Sequence, residues 1–179
     1  MSTINFTARL VNNPTIKERR TLFKYDDVNA SIVELDAANP ADMTALNITS
    51  DKWMNKGSRY VDDMPKIADR GLWRNDVYTT HYYALTTQTS GFDRLNPDKI
   101  LGLMMFNEFK NANNEISILE VEPSTNKSMN IFRKYKKVGK SLVEYIKSNF
   151  PQNNIDVWAD YGARGFYKKL GFVQSSSDA

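Results

Sequence analysis

Between Phe132 and Lys140 the chain gathers Arg133, Lys134, Lys136, Lys137 and Lys140 around Gly139. Apolar residues at Phe132, Tyr135, Val138, Leu142, Tyr145 and Ile146 recur at near-helical spacing, so the run predicts an amphipathic helix closed by Pro151. The positive end of a helix dipole attracts carboxylates, yet this helix would carry cations in its first turns. An anion is the natural missing partner. Free N–H groups at a helix start, a glycine that permits close approach and surrounding lysines would together cradle a phosphate. Taken alone, the run reads first as a solvated lysine face, because charge runs commonly serve solubility.

The other reactive residue types exclude more than they offer. With no cysteine, disulfides, a thiol nucleophile and thiolate metal sites fall away. A single histidine, His81, rules out a histidine-rich metal site and makes a Ser-His-Asp triad hard to build. His81 reads as a structural histidine within a strand rather than a base, and no metal is expected. The net charge of +3 is mild and its cations are clustered, so it does not demand nucleic acid.

The elements around the basic run have clear stop signals. Glu115 to Glu122 is rich in β-branched and aliphatic residues and ends at Pro123, which predicts a strand. Ile155 to Ala159 alternates as a second strand. Asp160 is placed to cap the next helix, which runs through Ala163, Phe166, Tyr167 and Leu170 and stops at Gly171.

Upstream, Ile4 to Val11, the turn Asn12–Thr15 and Arg20 to Tyr25 predict an N-terminal hairpin. Ala30 to Asp36 is a strand, with a helix near Pro40 to Ile48 after it and Asn39 as the cap. Asp62 to Gly71 has the signature of a short helix. Val77 to Thr87 and Ile100 to Phe109 are strands, and Asn111–Asn114 turns into the strand at Glu115 to make an antiparallel meander. Ser175–Asp178 reads as a frayed tail. A hydrophobic share of 41% and a charged share of 25% over 179 residues fit one globular domain, 1–179. No run is long enough to span a bilayer, and Met1–Asn5 lacks signal-peptide features, so a cytoplasmic protein without a membrane partner is expected.

At the C-terminal half the sequence resembles the Gcn5-related N-acetyltransferase superfamily. Asp160-Tyr161-Gly162-Ala163-Arg164-Gly165-Phe166-Tyr167-Lys168-Lys169-Leu170-Gly171-Phe172 is similar to that family's Asn-x-x-Ala-x-x-Phe/Leu-Tyr-x-x-x-Gly-Phe segment, with Asp160 at the usual Asn. Leu119–Pro123 resembles its Leu-x-Val-x-Pro strand end, and Lys134–Gly139 overlies its Arg/Gln-x-x-Gly-x-Gly/Ala pyrophosphate loop. Lys134 and Lys137 depart from the expected Arg/Gln and first Gly, and the connection from Pro123 to Lys134 is long.

The resemblance implies an α/β (α+β) fold with a mixed, mostly antiparallel central sheet flanked by helices and a shortened C-terminus. Residues 1–29 would be an N-terminal extension, 30–110 the acceptor-side half and 111–173 the acetyl-CoA-binding half. The sheet edge left by the short C-terminus would be covered by the N-terminal hairpin or by a second subunit, making a homodimer.

The implied reaction is transfer of an acetyl group from acetyl-CoA to a primary amine by direct attack on the thioester. Tyr167 falls where the family keeps its general acid. Glu120, or Glu115 on the same strand, is the candidate base, and the two would lie on opposite faces if pairing is regular. Backbone around Leu119 and Val121 would hold the pantetheine. Amides from Lys136 through Val138 and Gly139 to Lys140 would take the pyrophosphate, with Lys134 and Lys137 adding charge and Asp160 nearby.

Trp53, Tyr60, Trp73 and Tyr78 are candidates for the acceptor pocket or for the core. The acceptor itself stays open among small amines, peptides and aminoacyl-tRNA. Two other readings remain: a tRNA-directed acetyltransferase or binder using the Arg133–Lys140 cluster with Arg164, Lys168 and Lys169, and a non-catalytic acyl-CoA-binding protein.

Overall fold

A computed structural model describes residues 8–70, 77–126, 132–151 and 154–174. Trp73, Gly71, the Ser175–Asp178 tail and the start of the first expected strand lie outside these residues.

The mixed α/β fold is built on a six-stranded sheet in the order β1-β4-β5-β6-β7-β9. Its strands are β1 (Arg9–Asn12), β4 (Ser31–Leu35), β5 (Tyr78–Thr86), β6 (Ile100–Phe109), β7 (Asn114–Val121) and β9 (Ile155–Val157). Every neighbouring pair is antiparallel except β7 and β9, which run parallel.

One face is covered by α1 (Pro40–Met54) and α2 (Asp63–Asp69), the other by α3 (Val138–Asn149) and α4 (Arg164–Lys169). Asn39 caps α1 as expected, accepting from the backbone N–H of Ala41 at 2.8 Å. The helix runs on past Ile48 because Thr49, Ser50 and Trp53 continue its buried face.

The N-terminal hairpin differs from expectation. β1 does not pair with the segment after it but lies antiparallel to β4. The hairpin is instead β2 (Thr15–Arg19) with β3 (Tyr25–Asn29), turning through residues 20–24, and β2 also pairs with the short β8 (Tyr135–Lys136). The polar stretch Asn12–Thr15 therefore carries the chain from the large sheet to the small one. Ile16 is fully buried under it, on the α3 side. The hairpin thus covers the approach to α3 and not the β9 edge, which among the described residues pairs with β7 alone.

The basic run is also rearranged. The helix begins only at Val138, so Phe132 to Lys137 is not its first turn. Tyr135 satisfies the helical spacing, yet it sits in β8, where its hydroxyl donates to Glu18 at 3.2 Å. Gly102 lets α3 settle on the sheet: a Cβ there would stand 2.7 Å from Val138 Cγ1 and 2.9 Å from Leu142 Cδ1.

Candidate active site

β7 and β9 pair only at Asn114 with Ile155, Glu115 with Asp156 and Ile116 with Val157. Beyond Val157 the chain leaves the sheet for a 3-10 turn at Tyr161–Ala163 and then α4, while β7 continues to Val121. The strands separate, and a groove of about 330 Å³ opens between Ile116–Glu120 on one side and Val157–Asp160 on the other, closed by Tyr60, Ala163 and Tyr167. Along this edge Ser117–Val121 has no ladder partner on β9 among the described residues, so its backbone groups that face away from β6 have no strand to bond.

A bulge decides which side chains enter the groove. Met105 pairs with Ile118 and Phe106 with Ile116, leaving Ser117 as the extra residue. Regular alternation would set Glu115 and Glu120 on opposite faces. The bulge shifts the parity, so Glu115 pairs with Asn107 and Glu120 with Leu103, both on the α1 side of the sheet. They do different things there. Glu120 lines the groove. Glu115 lies where β7 and β9 are still paired, and it accepts a short hydrogen bond from Ser117 Oγ, which in turn accepts from Asn107 Nδ2 at 2.8 Å.

Burial raises the Glu120 carboxyl above its ordinary value. Ser58 and the backbone N–H groups of Arg59 and Tyr60 face the carboxylate and offset part of that, whereas the charge of Asp160 adds to it. Ser58 Oγ does not complete a hydrogen bond to Glu120: it is buried without any partner. Asp160 lines the groove and makes no side-chain cap on the turn after it, contrary to the capping role read from sequence. The turn is closed by its carbonyl, which accepts from Ala163 N–H at 2.8 Å.

Tyr167 stands on the opposite wall, 7% exposed, its ring edge-on to Phe166 at 5.0 Å and to Phe172 at 5.5 Å. Burial, then the charge of Glu120, pushes its hydroxyl far above the ordinary tyrosine value, so it stays protonated and can donate.

On the other face, Leu119 and Val121 meet the start of α3. A Cβ at Gly139 would lie 3.4 Å from Phe166, 3.6 Å from Val121 and 3.7 Å from Leu119. The first intrahelical bond runs from Ser141 N–H to the Lys137 carbonyl at 2.8 Å, and no side chain caps the helix. The amides of Val138, Gly139 and Lys140 are therefore left without helical acceptors at the end of β7. Lys137 stands at the position of the expected glycine and adopts the glycine conformation, φ 71°, the one non-glycine positive φ among the described residues. Free amides and a nearby cation at a helix start suit an anion.

The lysines divide. Lys134 Nζ lies 3.9 Å from Glu18, and Lys136 Nζ lies 3.5 Å from the centre of the Tyr25 ring, so both engage the N-terminal hairpin. Lys137 and Lys140 line a separate polar recess of about 260 Å³ with Asn12, Thr15 and Ser141.

Of the aromatic candidates, Tyr60 reaches the groove, Trp53 is core and Tyr78 packs on Phe109 at 5.2 Å. His81 lies outside the groove, between Glu34 at 2.7 Å and Glu108 at 3.1 Å. Sequence reasoning does not single out Ser58 or Trp158. An exposed Trp directly after a strand is the available signal for the second, and Ser58 has none.

Among the described residues no group of three or more His, Asp or Glu could hold a metal, and no helix is long and apolar enough to cross a membrane. No protein-family model matches the chain, and no curated protein does. Among solved structures the chain is similar to that of a possible acetyltransferase from Clostridium difficile 630, with a TM-score of 0.47 and 16% identity over 82% of this chain and 92% of that one.

Proposed function

We propose that the chain is an N-acetyltransferase of the Gcn5-related plan, moving an acetyl group from acetyl-CoA to a primary amine. The observation that carries this reading is the parting of β7 from β9 after Ile116 and Val157, with Glu120 and Tyr167 on facing walls of the gap.

Acetyl-CoA supplies an activated acyl group. Its pyrophosphate would lie on the amides of Val138–Lys140 with Lys137 and Lys140 beside it, and its pantetheine arm along the unpaired edge of β7 past Leu119 and Val121. N–H groups of that edge would hold the thioester oxygen as negative charge develops on it. Glu120 takes a proton from the incoming ammonium, a task suited to a carboxyl that burial raises above its ordinary value. The amine nitrogen then bonds to the carbonyl carbon, and the carbon–sulfur bond breaks with the sulfur leaving as thiolate. The nitrogen gives up its remaining extra proton to that thiolate or to water, leaving the neutral amide and coenzyme A.

Tyr167 donates a hydrogen bond to the departing sulfur. A phenol held well above its ordinary value is a weaker acid than a thiol of about 8.5, so it steadies the thiolate rather than surrendering its proton outright. Tyr167→Phe should lower kcat by about 10²-fold while leaving coenzyme binding intact.

Calorimetric titration with coenzyme A, then a screen of amine acceptors for release of free thiol, tests the assignment. Heat with the coenzyme and acceptor-dependent thiol release support it. Absence of heat would sink it, and heat without release across the panel would favour the non-catalytic acyl-CoA-binding reading. The tRNA-directed reading draws less support, since Lys134 and Lys136 are engaged within the chain. The hairpin pairs elsewhere, so we propose a second subunit as the cover of the β9 edge, which gel filtration would read.

A further inference from the structure

The two sides of the groove differ in chemistry. Ile155, Val157 and Ala159 pack into the core on the α3 side, so the intervening Trp158 and Asp160 turn toward Tyr60 and Glu120. Trp158 is 82% exposed, and among the described residues no ring or cation stacks on it. An indole left bare at the mouth of a groove is a large apolar and cation-attracting face without an occupant. Tyr161, its exposed neighbour, shows the contrast: the Arg164 guanidinium lies 5.6 Å from its ring centre.

The carboxylates are unmatched in the same way. Glu122 has Lys56 at 3.0 Å and Asp98 has Lys52 at 2.5 Å, whereas neither Glu120 nor Asp160 has an ion-pair partner among the described residues. Beside Glu120, Ser58 Oγ is buried, with its residue 8% exposed, and has no hydrogen-bond partner. Two carboxylates without ion-pair partners and an unstacked indole line one small space, and the Ser58 hydroxyl faces one of those carboxylates, Glu120. What they lack in common is a ligand with more than one ammonium group.

We propose that the acceptor is a small aliphatic di- or polyamine. One nitrogen sits at Glu120, and a second ammonium rests against Asp160 over the Trp158 indole. A space of about 330 Å³ suits a small molecule. This assignment rests on reading the same groove as an amine acetyltransferase site, but its test needs no turnover.

The test is calorimetry on the full chain without acetyl-CoA, comparing 1,4-diaminobutane with 1-aminobutane, which share a carbon chain and differ by one ammonium. The diamine should bind at least about tenfold tighter, a difference of about 1.4 kcal/mol. Trp158→Ala and Asp160→Asn should each bring that preference close to one, and Trp158→Phe should keep most of it. Trp158 is exposed, so its variants should melt with the parent, and matched melting curves would show that binding and not folding was changed.

Equal affinity for the two amines, no binding of either, or a preference that survives both Trp158→Ala and Asp160→Asn would overturn the proposal. So would a lysine-containing peptide that binds through Trp158 where the diamine does not. Diamine binding with no thiol release from acetyl-CoA would leave this inference standing and remove acetyl transfer instead.

Discussion

Asp160 stands across the groove from Glu120, and no cation lies between the two carboxylates among the described residues. Burial is the larger cause of the raised Glu120 pKa, and the Asp160 charge adds to it. The acid limb of kcat/KM should therefore lie above the ordinary glutamate value of about 4.3. Asp160→Asn removes a negative neighbour, so the limb should move to lower pH. Glu120→Gln should abolish it and cost about 10²-fold in kcat. Rates of thiol release across pH read all three outcomes, and an unmoved limb in Asp160→Asn would mean that another group titrates.

Gly102 and α3 meet too closely for any side chain. A Cβ at 102 would press on Val138 and Leu142, at 2.7 and 2.9 Å, in the first turns of the helix. Gly102→Ala should lower stability by about 1–3 kcal/mol through overpacking. Under the proposed function it should also raise KM for the coenzyme, because the displaced residues include Val138, whose amide is proposed to meet the pyrophosphate. Thermal unfolding and coenzyme saturation curves test the two effects separately.

Lys137 holds φ 71° without a glycine's freedom. Left-handed backbone costs a residue with a Cβ roughly 1–2 kcal/mol. Glycine's greater unfolded-state freedom returns part of that cost. Lys137→Gly should thus raise stability by up to about 1 kcal/mol, and Lys137→Val should lower it, as read by denaturant midpoints. The glycine variant should also show a weaker salt dependence of coenzyme binding, having lost one cation.

His81 links three strands through Glu34 on β4 and Glu108 on β6. Burial opposes the charged ring, but its hydrogen bonds to the two carboxylates outweigh burial and raise its pKa. A folded pKa above the unfolded one gives stability that is full below about 6.5 and is lost as pH rises through the folded value. The melting temperature should fall over that window, and His81→Gln should flatten the fall. Glu34 acts in the opposite sense at the acid end. The hydrogen bond from His81, with Arg9 helping, lowers its pKa, so its share is lost only as pH drops through that lowered value.

Local signals and partner choice are differently legible in this chain. Ile100–Phe109 is a strand with the expected limits, and α1 starts at Pro40 behind its Asn39 cap, because short apolar runs and caps act within a few residues. Pairing is not local. Nothing in Arg9–Asn12 specifies β4 as its neighbour over the next segment, and helical spacing at Tyr135 hides a strand whose partner lies far upstream.

The groove is legible as a strand end and a tyrosine helix. Its bulge is not, since alternation can be read from residue types while one extra residue at Ser117 is fixed by pairing with β6. That single residue decides that Glu120 enters the cleft.

The hairpin that braces the entry to α3 has a bearing on how the protein is made. Tyr25 donates to the Arg133 carbonyl across 108 positions of chain, and Arg19 N–H donates to the Lys134 carbonyl at 2.7 Å. During synthesis this hairpin leaves the ribosome early, and its β8 side waits for a partner while most of the sheet is built. Contacts that close so long a loop form slowly, so the turn that opens α3 is among the last features to mature.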